Sequence, residues 1–479
     1  MPAKYVIHAK PAAGRFRPVG KLGIVDWRED CSSCHNCVKR GCIYGFYRDE
    51  ADTLRDEIGY LDYIYQCKGC LNCVQNCTKN ILTRVVNPEF KRLGDSYFTP
   101  EILLSTWFQA ETGRIPVSGS GYGGPFSGPG FDSMWTDMSE IVRPTRDGIH
   151  GREYISTSVD IGRKLPRLAF RDGQLAVTPP PLLELPMPVI FDVVPQHWQR
   201  GPVVESIVAA AAELGIMAVV DADEGDRLWR EAGQGHIIPL VDAEDAVAAQ
   251  SGSFSSGTCA GSTAGTSAGA KLLMVPDDKH VMAVQAALKA RNPGQIVAIR
   301  LPATPTAAQR VLELAQQGAE VIHLVFDAHG RETATVSPRH ARDVLREVHT
   351  SLVKAGVRDE ITLVCSGGIA LPEHMAKAII CGADLVAIDL PLIVALECRL
   401  CGECEKENPC PITLEEIGPD LAMHRIVNLM GAWHSQLLEV LGAMGIREVR
   451  RLRGETGRSM FFEDLERESF GKLFGKRKQ

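Results

Sequence analysis

Residues 361–390, "ITLVCSGGIALPEHMAKAIICGADLVAIDL", decide the fold. A short apolar run, "ITLVC", ends at Ser-Gly-Gly; "PEHMAKAII" then carries apolar residues at helical spacing, and "DLVAI" is a second apolar run. Strand, turn, helix and strand in one stretch make a βαβ unit, whose two strands lie parallel in one sheet.

The alternation extends toward the N-terminus. The strand candidates are "IPVSG" (115–119), "VIFDVV" (189–194), "IMAVV" (216–220), "HIIPL" (236–240), "KLLMV" (271–275), "IVAIR" (296–300), "VIHLV" (321–325), "ITLVC" (361–365) and "DLVAI" (384–388). Between them lie amphipathic segments such as "VVESIVAAAAELG", "AAQRVLELAQQGAE" and "ARDVLREVHTSLVKAG". The count predicts a TIM-type (β/α)8 barrel with one strand too many, the surplus being "HIIPL" or "KLLMV"; an open doubly wound sheet is the competing architecture. Residues 251–270 are almost wholly Ser, Gly, Thr and Ala, a long flexible loop that either covers a site or is a disordered insert.

The chain has 479 residues, enough for two or more domains, with 45% hydrophobic and 23% charged residues, as expected of a globular protein. A formal charge of -7 gives no reason to expect nucleic acid. No apolar run is long enough to cross a bilayer, and "MPAKYVIHAKPAAG" has no stretch of signal-peptide length. The expected compartment is the cytoplasm, which keeps thiols reduced and makes clustered cysteines metal ligands more often than disulfides.

Of the 15 cysteines, twelve fall into three groups. Cys31, Cys34, Cys37 and Cys42 read C-x2-C-x2-C-x4-C; Cys67, Cys70, Cys73 and Cys77 read C-x2-C-x2-C-x3-C; Cys398, Cys401, Cys404 and Cys410 read C-x2-C-x2-C-x5-C, followed by Pro411. Consecutive x2 intervals wrap one loop around a cuboidal iron–sulfur cluster, whereas zinc sites take separated C-x2-C pairs. Structural zinc and disulfides are the alternatives. Lone Cys259, Cys365 and Cys381 read as small buried hydrophobes.

The tandem N-terminal runs resemble a bacterial two-cluster ferredoxin, in which the fourth cysteine of each run serves the other cluster. The resemblance implies one [4Fe–4S] cluster on Cys31, Cys34, Cys37 and Cys77, and another on Cys67, Cys70, Cys73 and Cys42. Proline normally follows the fourth cysteine of each run; Ile43 and Thr78 stand there instead. Residues 348–411, from "VHTSLVKAGVRDEITLVCSGG" to "LECRLCGECEKENPCP", resemble the end of the FMN-binding synthase domain of glutamate synthases. "HRIVNLMGAWHSQLLEVLGAMGIREVRRLRG" resembles the helices that follow in that family, and "IPVSGSGYGGPFS" its first barrel strand and FMN-contacting loop.

The resemblance implies three parts: a ferredoxin-like α+β domain with two clusters (1–98), an FMN barrel ending in a third cluster motif (99–412) and a C-terminal helical extension (413–479). It implies FMN contacts from Ser118, Gly119, Gly121, Arg300, Ser366, Gly367 and Gly368. Arg300 stands where the family has a lysine facing the flavin. Electrons from the clusters would reach FMN and reduce 2-iminoglutarate, formed from 2-oxoglutarate and ammonia, to glutamate. Separate glutaminase and NAD(P)H-oxidising subunits, or a ferredoxin, would be the partners. Pro2 replaces the amidotransferase cysteine of long-form enzymes, so this chain does not hydrolyse glutamine by that route.

Three features depart from the family. Asp389 replaces a glycine that offers a phosphate N–H, "FDAHGRET" replaces a glycine-rich substrate loop, and Cys401 is added to a three-cysteine set that holds [3Fe–4S], which points to [4Fe–4S] here. "EIVRPTRDGIHGREY" is read either as a loop at the barrel mouth, with Arg143 and Arg146 binding a carboxylate or the flavin phosphate and His150 moving protons, or as a charged surface turn. The departures leave a second reading beside the enzyme: an electron-transfer subunit of a larger redox complex with a degenerate barrel.

Overall fold

An unbroken apolar run is buried on both faces only in a sheet covered on both sides, and eight such runs close one sheet here. The computed structural model describes residues 5–16, 19–27, 34, 36, 40, 41, 43, 70–115, 128–136, 154–167, 169–221, 228, 235–242 and 269–475.

β1 (Leu22–Trp27) pairs antiparallel with β2 (Leu82–Val86), bringing together the chain before the first cysteine run and after the second. Before β2, α1 (Asn72–Gln75) is a single turn. By itself this establishes no separate ferredoxin-like domain. Residues 84–86 belong to β2. α2 (Pro88–Lys91) is capped by Asn87, whose Oδ1 accepts the Glu89 N–H at 3.0 Å. α3 (Pro100–Thr112) starts on proline and stops at Gly113 in the left-handed region. Its sequence predicts an amphipathic surface helix, yet Ser105, Thr106 and Gln109 are buried along with its apolar residues, because other helices cover it.

β3 (Met134–Thr136), β4 (Val159–Ile161), the hairpin of β5 (Phe170–Arg171) and β6 (Gln174–Leu175), and β7 (Leu183–Leu185) precede the barrel. β4 pairs with β7, and the Gly162 N–H donates to Thr362 Oγ1 at 3.1 Å, which closes the barrel's N-terminal end.

The barrel strands are β8 (Val189–Phe191), β9 (Ala218–Asp221), β10 (Ile237–Leu240), β11 (Leu272–Pro276), β12 (Ile296–Pro302), β13 (Val321–Val325), β14 (Thr362–Ser366) and β15 (Leu385–Ile388). Each is parallel to the next, and β15 returns to β8. The closed ring excludes the open sheet. Both doubted runs, "HIIPL" and "KLLMV", contribute barrel strands. The surplus is "IPVSG", because the eight strands begin at Val189. Residues 116–119 of that run lie outside the described residues, as do residues 251–268 of the small-residue loop.

α4 (Val203–Leu214), α5 (Val281–Arg291), α6 (Ala307–Gln317), α7 (Ala341–Lys354) and α8 (Pro372–Ile380) stand between strands, and α9 (Leu390–Ala395) follows β15. The tail is helical in α10 (Pro419–Ala443), which packs on α3, α4 and α8 and buries Met430 and Trp433 completely. It then adds a strand, β16 (Ser459–Phe461), against β3. Val19, Phe90, Leu93, Tyr97 and Phe98 share a small core with Leu371, Leu390 and Val394, so the N-terminal segments sit on the loops after β14 and β15. Barrel active sites lie at that face. Among the described residues no helix is long and apolar enough to cross a membrane.

Candidate functional site

The first two cysteine runs are partly described. Cys34, Cys70, Cys73 and Cys77 are placed; Cys31, Cys37, Cys42 and Cys67 lie outside the described residues. Cys73 is buried on α1. Two contacts cross between the runs. Cys34 Sγ lies 4.0 Å from Thr78 Oγ1, next to Cys77, and the Asn72 side-chain amide donates to the Gly41 carbonyl, next to Cys42.

The third run is wholly described. Cys398 is buried and Cys401, Cys404 and Cys410 are half-buried, with no disulfide. Among the described residues no three His, Cys, Asp or Glu side chains are arranged to hold a metal ion. A cuboidal cluster spreads its thiolates wider than a single ion does, and two other features suit this loop to one. Burial pushes the Cys398 thiol up to about 12, and the nearby Cys401, Cys404 and Cys410 add to the shift. The backbone is also contorted. Glu397, Leu400, Glu407 and Thr413 all have positive φ (75°, 47°, 59° and 41°), a conformation that side chains disfavour and that clusters at functional sites. Successive N–H groups in such turns form concavities that bind anions, iron–sulfur clusters included.

The barrel mouth is a layer of charged and polar side chains. Asp192 follows β8, Arg300 ends the apolar part of β12, His323 lies on β13, Ser366 ends β14 and Asp389 follows β15. Arg300 grips Asp192 with both arms, Nη1 to Oδ1 at 2.5 Å and Nη2 to Oδ2 at 3.2 Å. Burial pushes the Asp192 carboxyl up, but the Arg300 charge, the nearby His323 ring and the hydrogen bonds from Arg300 and the Val193 N–H outweigh it and hold it below the usual range. His323 Nδ1 faces the Arg300 guanidinium at 3.4 Å, a donor only, so the ring proton sits on Nε2. Nε2 lies 2.9 Å from Ser366 Oγ and 3.7 Å from Asp192. Burial drops this histidine to about 4, so it is neutral. Because Nε2–H donates toward the serine and the aspartate is on the same nitrogen, this is no hydrolytic triad. Burial, then the Asp192 charge, lift Asp389 to about 6. Between β8 and β9 a crevice lined by Asp192, Val194, Gln199, Val220 and Asp221 has a free volume of about 10 Å³, no more than one water needs.

FMN binding is compatible with a barrel of this kind, its phosphate resting on N–H groups after the last two strands. Four such groups are engaged here. Gly368 N–H donates to Ala328 O (3.3 Å), Ala370 N–H to His374 Nδ1 (3.2 Å), His374 N–H to Leu371 O (3.0 Å) and Leu390 N–H to Asp389 Oδ1 (2.7 Å). Gly367 and Gly368 have φ of 92° and 70°, and a Cβ on either would strike the 326–330 loop, at Asp327 O and Gly330 Cα. Their openness admits protein backbone, not a ligand. The replacement loop is likewise closed: Asp327 Oδ1 accepts the N–H groups of His329 (2.9 Å) and Arg331 (2.7 Å), and Arg339 grips Glu332. Four N–H groups after the last two strands are therefore taken up by protein acceptors. Ser118, Gly119, Gly121, Arg143, Arg146 and His150 lie outside the described residues.

No motif in the chain announces the hydrogen-bonded tyrosine and histidines beside the Ser-Gly-Gly turn. Tyr97 OH donates to Gly368 O at 2.7 Å and lies 3.2 Å from His340 Nε2, while His374 Nε2 lies 2.8 Å from Asp132 Oδ1. Burial and the nearby arginine Arg342 drop His340 to about 3. These side chains tie the linker after β2 to the barrel mouth.

Comparison with known proteins agrees with the descent. Residues 279–447 match a family described as the conserved region in glutamate synthase. The chain is 25% identical to the archaeal glutamate synthase [NADPH] of Archaeoglobus fulgidus over 94% of this chain and 96% of that one. It is 26% identical to the archaeal-type glutamate synthase [NADPH] of Thermotoga neapolitana, over 88% and 91%, and 26% identical to the archaeal glutamate synthase [NADPH] of Methanocaldococcus jannaschii, over 89% and 92%. Among solved structures, (S)-mandelate dehydrogenase aligns with a TM-score of 0.41 at 13% identity, over 69% of this chain and 88% of that one. A mandelate oxidase aligns with 0.40 at 13%, over 67% and 97%. At such scores the likeness says nothing of chemistry. The chain is a distant homologue of the archaeal-type glutamate synthases.

Proposed function

We propose that the chain is an iron–sulfur electron-transfer subunit of glutamate-synthase descent. Cys31, Cys34, Cys37 and Cys77 would hold one [4Fe–4S] cluster, Cys67, Cys70, Cys73 and Cys42 a second, and Cys398, Cys401, Cys404 and Cys410 a third. One-electron carriage is the chemistry those groups supply. The partners are redox proteins: a ferredoxin or an NAD(P)H-oxidising subunit on the donor side. The loop around the third cysteine group supports the carrier role by its four left-handed residues and by cysteines close enough to act on one another's charge.

Distant homology favours a fuller reading, in which electrons pass to FMN at Arg300, Ser366, Gly367 and Gly368 and glutamate is made from 2-oxoglutarate and ammonia, with a separate glutaminase. One observation supports the carrier reading. The N–H groups of Gly368, Ala370, His374 and Leu390 already have protein acceptors, and Arg300 is committed to Asp192. A barrel so filled serves as a scaffold for the clusters and not as a glutamate-forming site. The test is to purify the full chain without oxygen, add FMN, reduce it through a ferredoxin and supply 2-oxoglutarate and ammonia. Electron exchange with the ferredoxin and no glutamate supports the proposal. Glutamate formed at a rate that tracks bound FMN overturns it in favour of the fuller reading.

A further inference from the structure

The residue before Cys398 is held by the other end of the chain. Glu397 has φ 75°, and only 7% of its side chain is exposed. Its Oε1 accepts the backbone N–H groups of Arg15 (2.7 Å) and Phe16 (3.3 Å), and its Oε2 accepts Arg15 Nε–H at 2.9 Å. Arg15 Nη1 donates in addition to Thr413 O at 3.2 Å, just beyond Cys410. One side chain of the N-terminal arm thus grips both ends of the cysteine loop.

The arm is itself anchored. The buried Arg425 donates from Nε to Ala395 O (2.6 Å), at the end of α9, and from Nη1 to Ala12 O (2.9 Å). Asn428 pairs with the Lys10 backbone in both directions, at 3.0 and 2.6 Å. A Cβ at Gly14 would meet Glu111 Oε1 at 2.6 Å and Glu397 Oε1 at 2.9 Å, so glycine lets the arm pass between two carboxylates. From the opposite side the Gly94 N–H donates to Arg399 O at 2.9 Å, and Leu400 packs on the small core that contains Val19, Phe90 and Leu93. The turn between Cys398 and Cys401 is therefore enclosed by the segments that enter and leave the N-terminal cysteine region. Left-handed side-chain-bearing residues persist only where surroundings over-determine them, and these contacts are the surroundings.

We propose that the N-terminal arm is part of the third cluster's site: Arg15, acting through Glu397, is a positioning residue that fixes Cys398 and couples the N-terminal cysteine region to the C-terminal cluster. This rests on the reading that Cys398, Cys401, Cys404 and Cys410 hold a cluster. Outer-shell partners of this type set both metal retention and redox potential.

The full chain is prepared without oxygen as the parent and as Arg15→Ala, Arg15→Lys and Glu397→Gln. Two properties of the third cluster are read: iron loss to a chelator and midpoint potential. Arg15→Ala leaves the Glu397 charge countered only by the more distant Arg425, and the cluster's potential falls. Glu397→Gln leaves the Arg15 charge uncompensated, and its potential rises. In both variants about one third of the iron leaves about 10-fold faster, while Arg15→Lys stays near the parent in potential. A merely structural role would not move the potential in opposite directions. Unchanged iron loss and potential in Arg15→Ala and Glu397→Gln overturn the proposal. A parent chain that holds the N-terminal clusters but no third one, with iron content unaltered by Cys401→Ser, overturns the underlying reading instead.

Discussion

Arg300→Met breaks the ion pair at the barrel mouth and tests whether that arginine is structural. The bond is bidentate, the side chains of Arg300 and Asp192 are 18% and 3% exposed, and after the change Asp192 keeps the Val193 N–H at 2.9 Å as its remaining close donor. Removing one partner of a buried pair strands a charge and costs about 3–5 kcal/mol. For a barrel-sized cooperative unit, at about 2–4 °C per kcal/mol, the melting temperature falls by about 6–20 °C. The double variant Asp192→Asn/Arg300→Met removes the stranded charge and regains most of the loss, since replacing a whole buried pair by neutral groups is close to neutral. The pH dependence has a definite sign. In the parent, Arg300 and His323 keep the Asp192 carboxyl ionised against burial. In Arg300→Met burial prevails, the carboxyl takes up a proton more readily, and the deficit against the parent narrows from pH 8 toward pH 5. Thermal melts by circular dichroism at both pH values measure this. An unaltered melt in Arg300→Met, or a double variant as unstable as the single one, refutes the reasoning and frees Arg300 for a ligand.

Other outcomes follow from the same side chains. Asp389 is lifted to about 6, so the folded state binds its proton more tightly than the unfolded state does. Stability then falls as pH rises from the ordinary value toward 6, and the cost persists above it. Asp389→Asn keeps an oxygen for the Leu390 N–H and gains up to about 3 kcal/mol over the parent at pH 8, with no gain at pH 4; equal melts at pH 8 contradict this. His323, His349 and His434 are lowered by burial to about 4, and His340 to about 3. The unfolded chain protonates them first, so melting temperature drops as pH falls from 6.5 toward 4; a flat profile over that window counts against their burial as neutral rings. Cys401→Ser leaves Cys398, Cys404 and Cys410, and the electron paramagnetic resonance spectrum of an oxidised three-iron cluster appears in place of one four-iron signal.

The barrel was legible because its strands are local signals: apolar runs such as "ITLVC" and "DLVAI" bounded by turns and helices. The miscount had a physical cause. "IPVSG" looks like a strand ending at a glycine, but closure is a long-range property, and "HIIPL" and "KLLMV" fill the ring without it. The cysteine groups stand out in the sequence by their repeated short spacing. The barrel mouth does not. Asp192 and Arg300 stand 108 residues apart on β-strands that are not neighbours in the ring, and neither local pattern announces the other. The Asp389 substitution was visible, while its outcome, a carboxylate capping the Leu390 N–H in a phosphate's stead, required the fold. The grip of Arg15 on Glu397 spans 382 residues, beyond any reading of periodicity or motif.

The central claim is that this chain carries iron–sulfur clusters around a barrel that does not hold FMN. Iron, acid-labile sulfide and flavin should be quantified together in the full chain purified without oxygen in the presence of FMN. Three four-iron clusters give about twelve irons and twelve sulfides per chain, with flavin far below one per chain. A chain without iron and sulfide, or one that retains FMN one to one, contradicts the account.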